Sequence, residues 1–164
     1  MSADDPRWVA FVHGADTVGT LTALTSVFST RGVSFDSLTT GAVHGDAGLI
    51  VVTFTASERR TRVLVRTVER LAAVRGVEVW RADDPGLRAA GVVHMPAGAV
   101  FRPDAADVRW AGDSAAGNAV LVEGPLAAVE RVLAAARDDG AMAVTTTVLP
   151  PVAADDAGGA SGGA

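Results

Sequence analysis

Asp16 and Gly19 stand just ahead of an apolar run at helical spacing, where a small zwitterion could be held. A glycine at a helix start leaves backbone N–H groups without partners and a partial positive charge, which suits a carboxylate. The same glycine can also serve only to let a loop pack tightly. The Asp16 carboxylate could receive an α-ammonium group or cap the helix, the commoner use of an Asp there, and its two oxygens allow both. Ser34 opens the following strand with a hydroxyl of weaker claim. His13 and His44, beside Asp16 and Asp46, fall at one end of the sheet, but their spacing matches no metal motif and loop-end histidines are usually solvated. Arg59, Arg60, Arg62 and Arg66 lie on one helix and read as a solvated face or a contact for an acidic partner.

Other chemistries are excluded by composition. The 164 residues contain no cysteine, which removes thiol catalysis, zinc ribbons, iron–sulfur clusters and disulfides. All 14 basic residues are Arg, which removes Schiff-base chemistry and a P-loop lysine. Gly14 to Gly19 is not G-x-G-x-x-G, and no Ser-His-Asp or Glu-x-x-His arrangement stands out. The formal charge is −5, and aromatics are 5% with no Tyr, which argues against nucleic acid as a partner. The apolar runs are strand-length, far short of the ~20 residues of a membrane helix, and the N-terminus is acidic and polar. A cytoplasmic protein with no membrane partner is expected.

The elements that must position these residues follow from periodicity. Trp8–Val12 is a strand closed by His13-Gly14, and Leu21, Leu24, Val27 and Phe28 form a helical stripe over Thr20–Arg31. Arg31-Gly32 ends that helix. Ser34–Val43 is a strand with Phe35, Ser37 and Thr39 on one face, and Asp36, Leu38 and Thr40 on the other. A turn at 44–48 leads to Leu49–Thr55. Ser57 caps a second helix, which is expected to run to Arg75-Gly76, and Val77–Arg81 is the fourth strand. Residues 8–82 thus read β-α-β-β-α-β, a ferredoxin-like α+β unit. Residues 1–7 are expected to be disordered and 83–90 to be a linker. Residues 91–149 are expected to form a reduced β-β-α-β half lacking a first helix. Its strand candidates are Gly91–Met95, Ala99–Phe101, Asp107–Ala111, Asn118–Glu123 and Ala143–Leu149, with a helix around Val129–Ala136. Trp8, Trp80 and Trp110 are core or interface anchors, and 150–164 is a disordered tail.

The stretch from Gly19 to Leu38 resembles the ACT domain of acetolactate synthase small regulatory subunits. It shows Gly19-Thr20-Leu21, then Phe28-Ser29-Thr30-Arg31-Gly32, then Phe35-Asp36-Ser37-Leu38. Val68-Glu69-Arg70-Leu71 and Val77-Glu78-Val79 are similar to that family's second helix and last strand. The chain departs from it at Asp16 and Ser34, where Asn is usual, and at Val18, where Pro is frequent. The resemblance implies a homodimer with ACT sheets side by side and a small, branched-chain type of amino acid at the interface. The effector residues it implies are Asp16, Thr17, Val18, Gly19, Thr20 and Leu21, with Ser34 and Phe35. It implies no catalysis, cofactor or metal in this chain, and as partner the catalytic large subunit of a thiamine-diphosphate enzyme. The departures leave open a stand-alone ACT-type amino-acid sensor with a different partner.

Overall fold

A computed structural model describes residues 5–15, 19–42 and 47–151. Asp16, Thr17, Val18, His44, Asp46 and the tail from 152 onward lie outside the described residues. The first half comprises β1 (Arg7–Ala15), α1 (Thr20–Thr30), β2 (Phe35–Ala42), β3 (Ala47–Thr55), α2 (Glu58–Val68) and β4 (Val74–Arg81). Its sheet has the order β2-β3-β1-β4 with every neighbour antiparallel. This is the expected ferredoxin-like arrangement.

The apolar run Trp8–Val12 is explained by burial on both sides. Ala10 and Val12 join Leu24, Phe28, Val52, Phe54, Leu64 and Val68 in a core between the sheet and its two helices. Val9, Phe11 and Val51 point the other way, into the core of the second half. A strand buried on both faces has no polar face, so alternation disappears from its sequence. α2 starts as expected, with Ser57 Oγ accepting the Arg60 N–H at 3.4 Å and Glu58 in the first turn.

Several expectations are corrected. α2 ends at Val68, not at Arg75-Gly76. Two turns follow, with Leu71 N–H donating to Val68 O and Val74 N–H to Leu71 O, and β4 opens at Val74. The Ala15 N–H donates to Ala73 O at 2.8 Å, and this pairing with β1 draws 73–76 out of any helix. β1 opens at Arg7, and Pro6 O accepts the Ala56 N–H, so the strand begins inside the expected disordered terminus. In β2 a register shift falls between Phe35 and Ser37. Phe35 therefore joins the helix side, edge-on to Phe28 with ring centroids 6.2 Å apart, and does not share a face with Ser37.

The second half comprises β5 (Arg88–His94), β6 (Arg109–Ala111), β7 (Val120–Pro125), α3 (Leu126–Asp138) and β8 (Ala143–Leu149), in the sheet order β6-β7-β5-β8. Substituting β5 for β1, β6 for β2, β7 for β3 and β8 for β4 reproduces the first sheet's order. β5 starts inside the stretch expected to be linker, and buried Leu87 just before it accepts the Leu126 N–H. Ala99–Phe101 is not a strand. Ala99 N–H closes a turn on Pro96 O, and buried Phe101 donates its N–H to Ser114 Oγ at 2.8 Å. The expected strand Asp107–Ala111 shortens to three residues. Trp110 on this edge is 42% exposed, whereas Trp8 and Trp80 are half-buried. One face of this sheet is covered by α3 and by Met95, Phe101 and Val108. The other is open and carries Val92, Leu121 and Leu149. No helix among the described residues is long and apolar enough to cross a membrane.

Candidate functional site

The loop end of the first sheet forms a hollow of about 200 Å³, lined in part by Gly14, Thr20, Leu21, Thr40, Gly41 and Gly48. Three of its ten lining residues, Gly14, Gly41 and Gly48, carry no side chain, and Val12, Ala15, Leu49 and Ile50 complete the wall. Gly19 is the N-cap of α1, at φ 101° and ψ −17°, and its carbonyl accepts the Ala23 N–H at 2.8 Å. That positive φ favours glycine. An added Cβ would meet nothing within 4 Å, so the constraint is conformational rather than steric. Thr20 is buried, and its hydroxyl donates to Ala15 O at 3.2 Å, tying the helix start to the end of β1. Leu21 is 41% exposed. The first turn of α1 holds no acidic residue, so none of its own carboxylates answers the positive end of the helix.

Ser34 and Phe35 lie elsewhere. β2 and β1 both run antiparallel to β3, so they run parallel to each other. Phe35 pairs with Phe54, which pairs with Trp8 at the start of β1, whereas Ala42 pairs with Gly48, which pairs with Gly14 at its end. An eight-residue strand is about 25 Å long. One chain therefore brings Gly19, Thr20 and Leu21 together and leaves Ser34 and Phe35 at the far end of β2. Both of the latter are exposed.

The far end has its own electrostatics, which sequence reasoning missed. Arg7 Nε donates to Asp36 at 3.0 Å, and Arg7 Nη1 donates to Glu130 of α3 at 2.6 Å. Partial burial works against the Arg7 charge. The hydrogen bonds and charges of Glu130 and Asp36 outweigh it and hold the guanidinium above its ordinary range. No spacing rule links residues 7, 36 and 130; only the fold does. At the loop end, His13 Nε2 lies 3.6 Å from Glu78. Thr40, Gly41 and Gly48 were also missed, because they reach the hollow by strand pairing rather than by nearness in sequence.

A much larger hollow, of about 830 Å³, lies against the open face of the second sheet, with Thr39 and Thr40 of β2 at its rim. Glu123 on this face accepts from both Arg88 and Arg109. These two hydrogen bonds hold its carboxyl below the usual carboxylate range.

No protein-family model matches the chain, and no curated protein matches it by sequence. Solved structures do match. The acetolactate synthase small subunit of Thermotoga maritima superposes with a TM-score of 0.64 at 14% identity, over 87% of this chain and 94% of that one. The chain shares that subunit's fold. The likeness spans both halves, so the second sheet is part of it as well as the first. The regulatory subunit of aspartate kinase from Thermus thermophilus matches more distantly, with a TM-score of 0.43 and 14% identity over 85% of this chain and 96% of that one.

Proposed function

We propose that this chain is a non-catalytic regulatory subunit that pairs with a second copy through β2 and binds a small amino acid at the junction. In this reading it modulates the catalytic large subunit of a thiamine-diphosphate enzyme, of the acetolactate synthase type. The observation that carries the reading is the separation of the two predicted site segments along β2. β2 is an edge strand of its sheet, with a row of backbone groups available for pairing. Two copies joined antiparallel along that edge under a two-fold axis place the start of one β2 beside the end of the other. Ser34 and Phe35 of one copy then stand beside Gly19, Thr20 and Leu21 of the other, and a site that is split in one chain is completed twice in the pair.

The chemistry follows from the parts. The N–H groups at the start of α1 take the ligand's carboxylate. Leu21 and the neighbouring Phe35 suit an apolar side chain of branched-chain size. Asp16, which precedes α1 in the sequence, would receive the ammonium group. An effector held across the interface favours whichever arrangement of the two copies binds it better, and that preference is what a partner subunit would sense.

A thermal-shift series with valine, leucine and isoleucine tests the binding, because a ligand that binds only the folded state stabilises it, by about 2.7 kcal/mol at a hundredfold excess over Kd. Turnover of the large subunit, with and without this chain and valine, tests the regulation. No shift with any of the three and no change in turnover would sink the proposal. A shift with a different amino acid and no effect on the large subunit would point to a stand-alone sensor.

A further inference from the structure

Six of the 14 arginines gather in one neighbourhood, Arg31 just after α1 and Arg59, Arg60, Arg62, Arg66 and Arg70 along α2 or just past it. Glu58 and Glu69 are the only acids in that stretch of α2, while the other eight arginines share the chain with seventeen acids. An acidic protein thus concentrates positive charge around the exposed surface of α2, with Arg31, Arg59 and Arg60 on one flank and Arg62 and Arg66 on the other. All six are exposed, because α2 gives Thr61, Leu64 and Val68 to the core and turns its arginines outward.

Among the described residues the ion pairs engage Arg7, His13, Arg81, Arg88, Arg109 and Arg131, and none of the six arginines around α2. Arg62 and Arg66 stand four apart on one helical face, a like-charge spacing that destabilises an isolated helix. Arg31 is held in place without a carboxylate. Its Nη2 donates to Thr67 Oγ1 at 3.1 Å, and that hydroxyl is oriented by donating to Val63 O at 2.8 Å. Arg31, Arg59 and Arg60 line a notch of about 360 Å³ together with Ser57, Val33 and Val63, and Val63 is 42% exposed. A partly exposed valine among arginines has the composition of a protein contact, where Arg is enriched and each guanidinium can grip a carboxylate with two hydrogen bonds. A nucleic acid fits less well, because no aromatic side chain lines the notch for a base to stack on.

We infer that this arginine face is the docking surface for an acidic segment of a protein partner, with Arg31, Arg59 and Arg60 as the carboxylate-binding notch. It lies on the helix-covered side of the first sheet, which pairing along the β2 edge leaves open. The inference extends the regulatory reading by giving the chemistry of the partner's contact, and rests on that reading only for who the partner is.

The test uses the full chain and a fluorescein-labelled oligoglutamate peptide, read by anisotropy. Binding is expected to weaken with added salt and to fall about tenfold or more in Arg59→Glu/Arg60→Glu. A control of equal charge change on other exposed, unpaired arginines, Arg102→Glu/Arg137→Glu, should stay within about twofold of the parent chain. Circular dichroism checks that both variants are folded. Equal losses in the two variants, or no peptide binding by the parent chain, would overturn the inference. So would tighter binding of a DNA duplex or of inorganic phosphate than of the peptide. The valine thermal shift on Arg59→Glu/Arg60→Glu keeps the two proposals apart. Failed peptide binding by the parent chain with the valine shift intact overturns the docking surface alone. Intact, arginine-dependent peptide binding with no valine shift in the parent chain overturns the effector reading alone.

Discussion

The two sheets share a strand order but not a filling. In the first, the crossover from β1 to β2 passes through α1, and Leu24 and Phe28 of that helix are buried on the sheet. In the second, the equivalent crossover from β5 to β6 contains no helix. Met95, Phe101 and Val108 reach the core from irregular chain instead, steadied by the Phe101 N–H bond to Ser114. What a crossover must supply is apolar area over the sheet and partners for its own buried backbone groups; a helix meets both needs, and it is not the only way. The first sheet is also covered on both faces, whereas the second is covered on one.

The strongest way to break the contrast is to remove a side chain that belongs to one sheet and packs in the other half's core. Phe11 is fully buried in the cluster that holds Val129 and Leu133. Phe11→Ala is expected to cost about 3–5 kcal/mol and to lower the stability of both halves in a single urea transition. Two transitions, with only the first moved, would show that the halves are energetically separate. A smaller effect separates the helices. α2 has a side-chain cap, while α1 starts at Gly19 and α3 at Pro125 without one. Ser57→Ala should cost about 1 kcal/mol, read from the urea midpoint, and a neutral result would mean that packing alone fixes the start of α2.

The smallest effect concerns the open face. The Glu123 carboxyl is held below its usual value of 4.5 by hydrogen bonds from Arg88 and Arg109. A carboxylate depressed in the folded state adds stability above its unfolded pKa, and that stability is lost as pH falls through the folded value. The parent chain should therefore lose stability more steeply than Glu123→Gln on acidification through the carboxylate range. Parallel pH profiles in urea titrations would show that the pair of arginines contributes nothing measurable.

Local signals served well where the deciding interactions were local. The apolar stripe from Leu21 to Phe28, the Ser57 cap and the run Leu49–Thr55 all led to elements that formed. The same kind of signal misled at Arg75-Gly76. There it matched the Arg31-Gly32 helix end, but the outcome was set by β1. Gly14 lets Ala73 O come within 2.6 Å of where a Cβ would stand, and the Ala15 N–H bonds to that oxygen. Nothing within a helix-length window around residue 75 carries that information. Ala99–Phe101 was misread for a related reason, since a short apolar run looks the same whether it pairs as a strand or anchors a loop. In the candidate site, Gly19, Thr20 and Leu21 were legible because they are consecutive. Thr40, Gly41 and Gly48 were not, because only strand register delivers them.

Arg7 gives the molecule a corner at which both halves answer to one side chain. It grips Asp36 at the start of the edge strand and Glu130 on the helix of the second half. Val9, Phe11 and Val51 meet the second half through apolar surface, which has no preferred direction. A guanidinium shared between two carboxylates has fixed directions. A shift of the edge strand by even one residue's rise would stretch the first bond and so unbalance the second. The corner therefore ties the start of the edge strand and the helix of the second half to one and the same guanidinium.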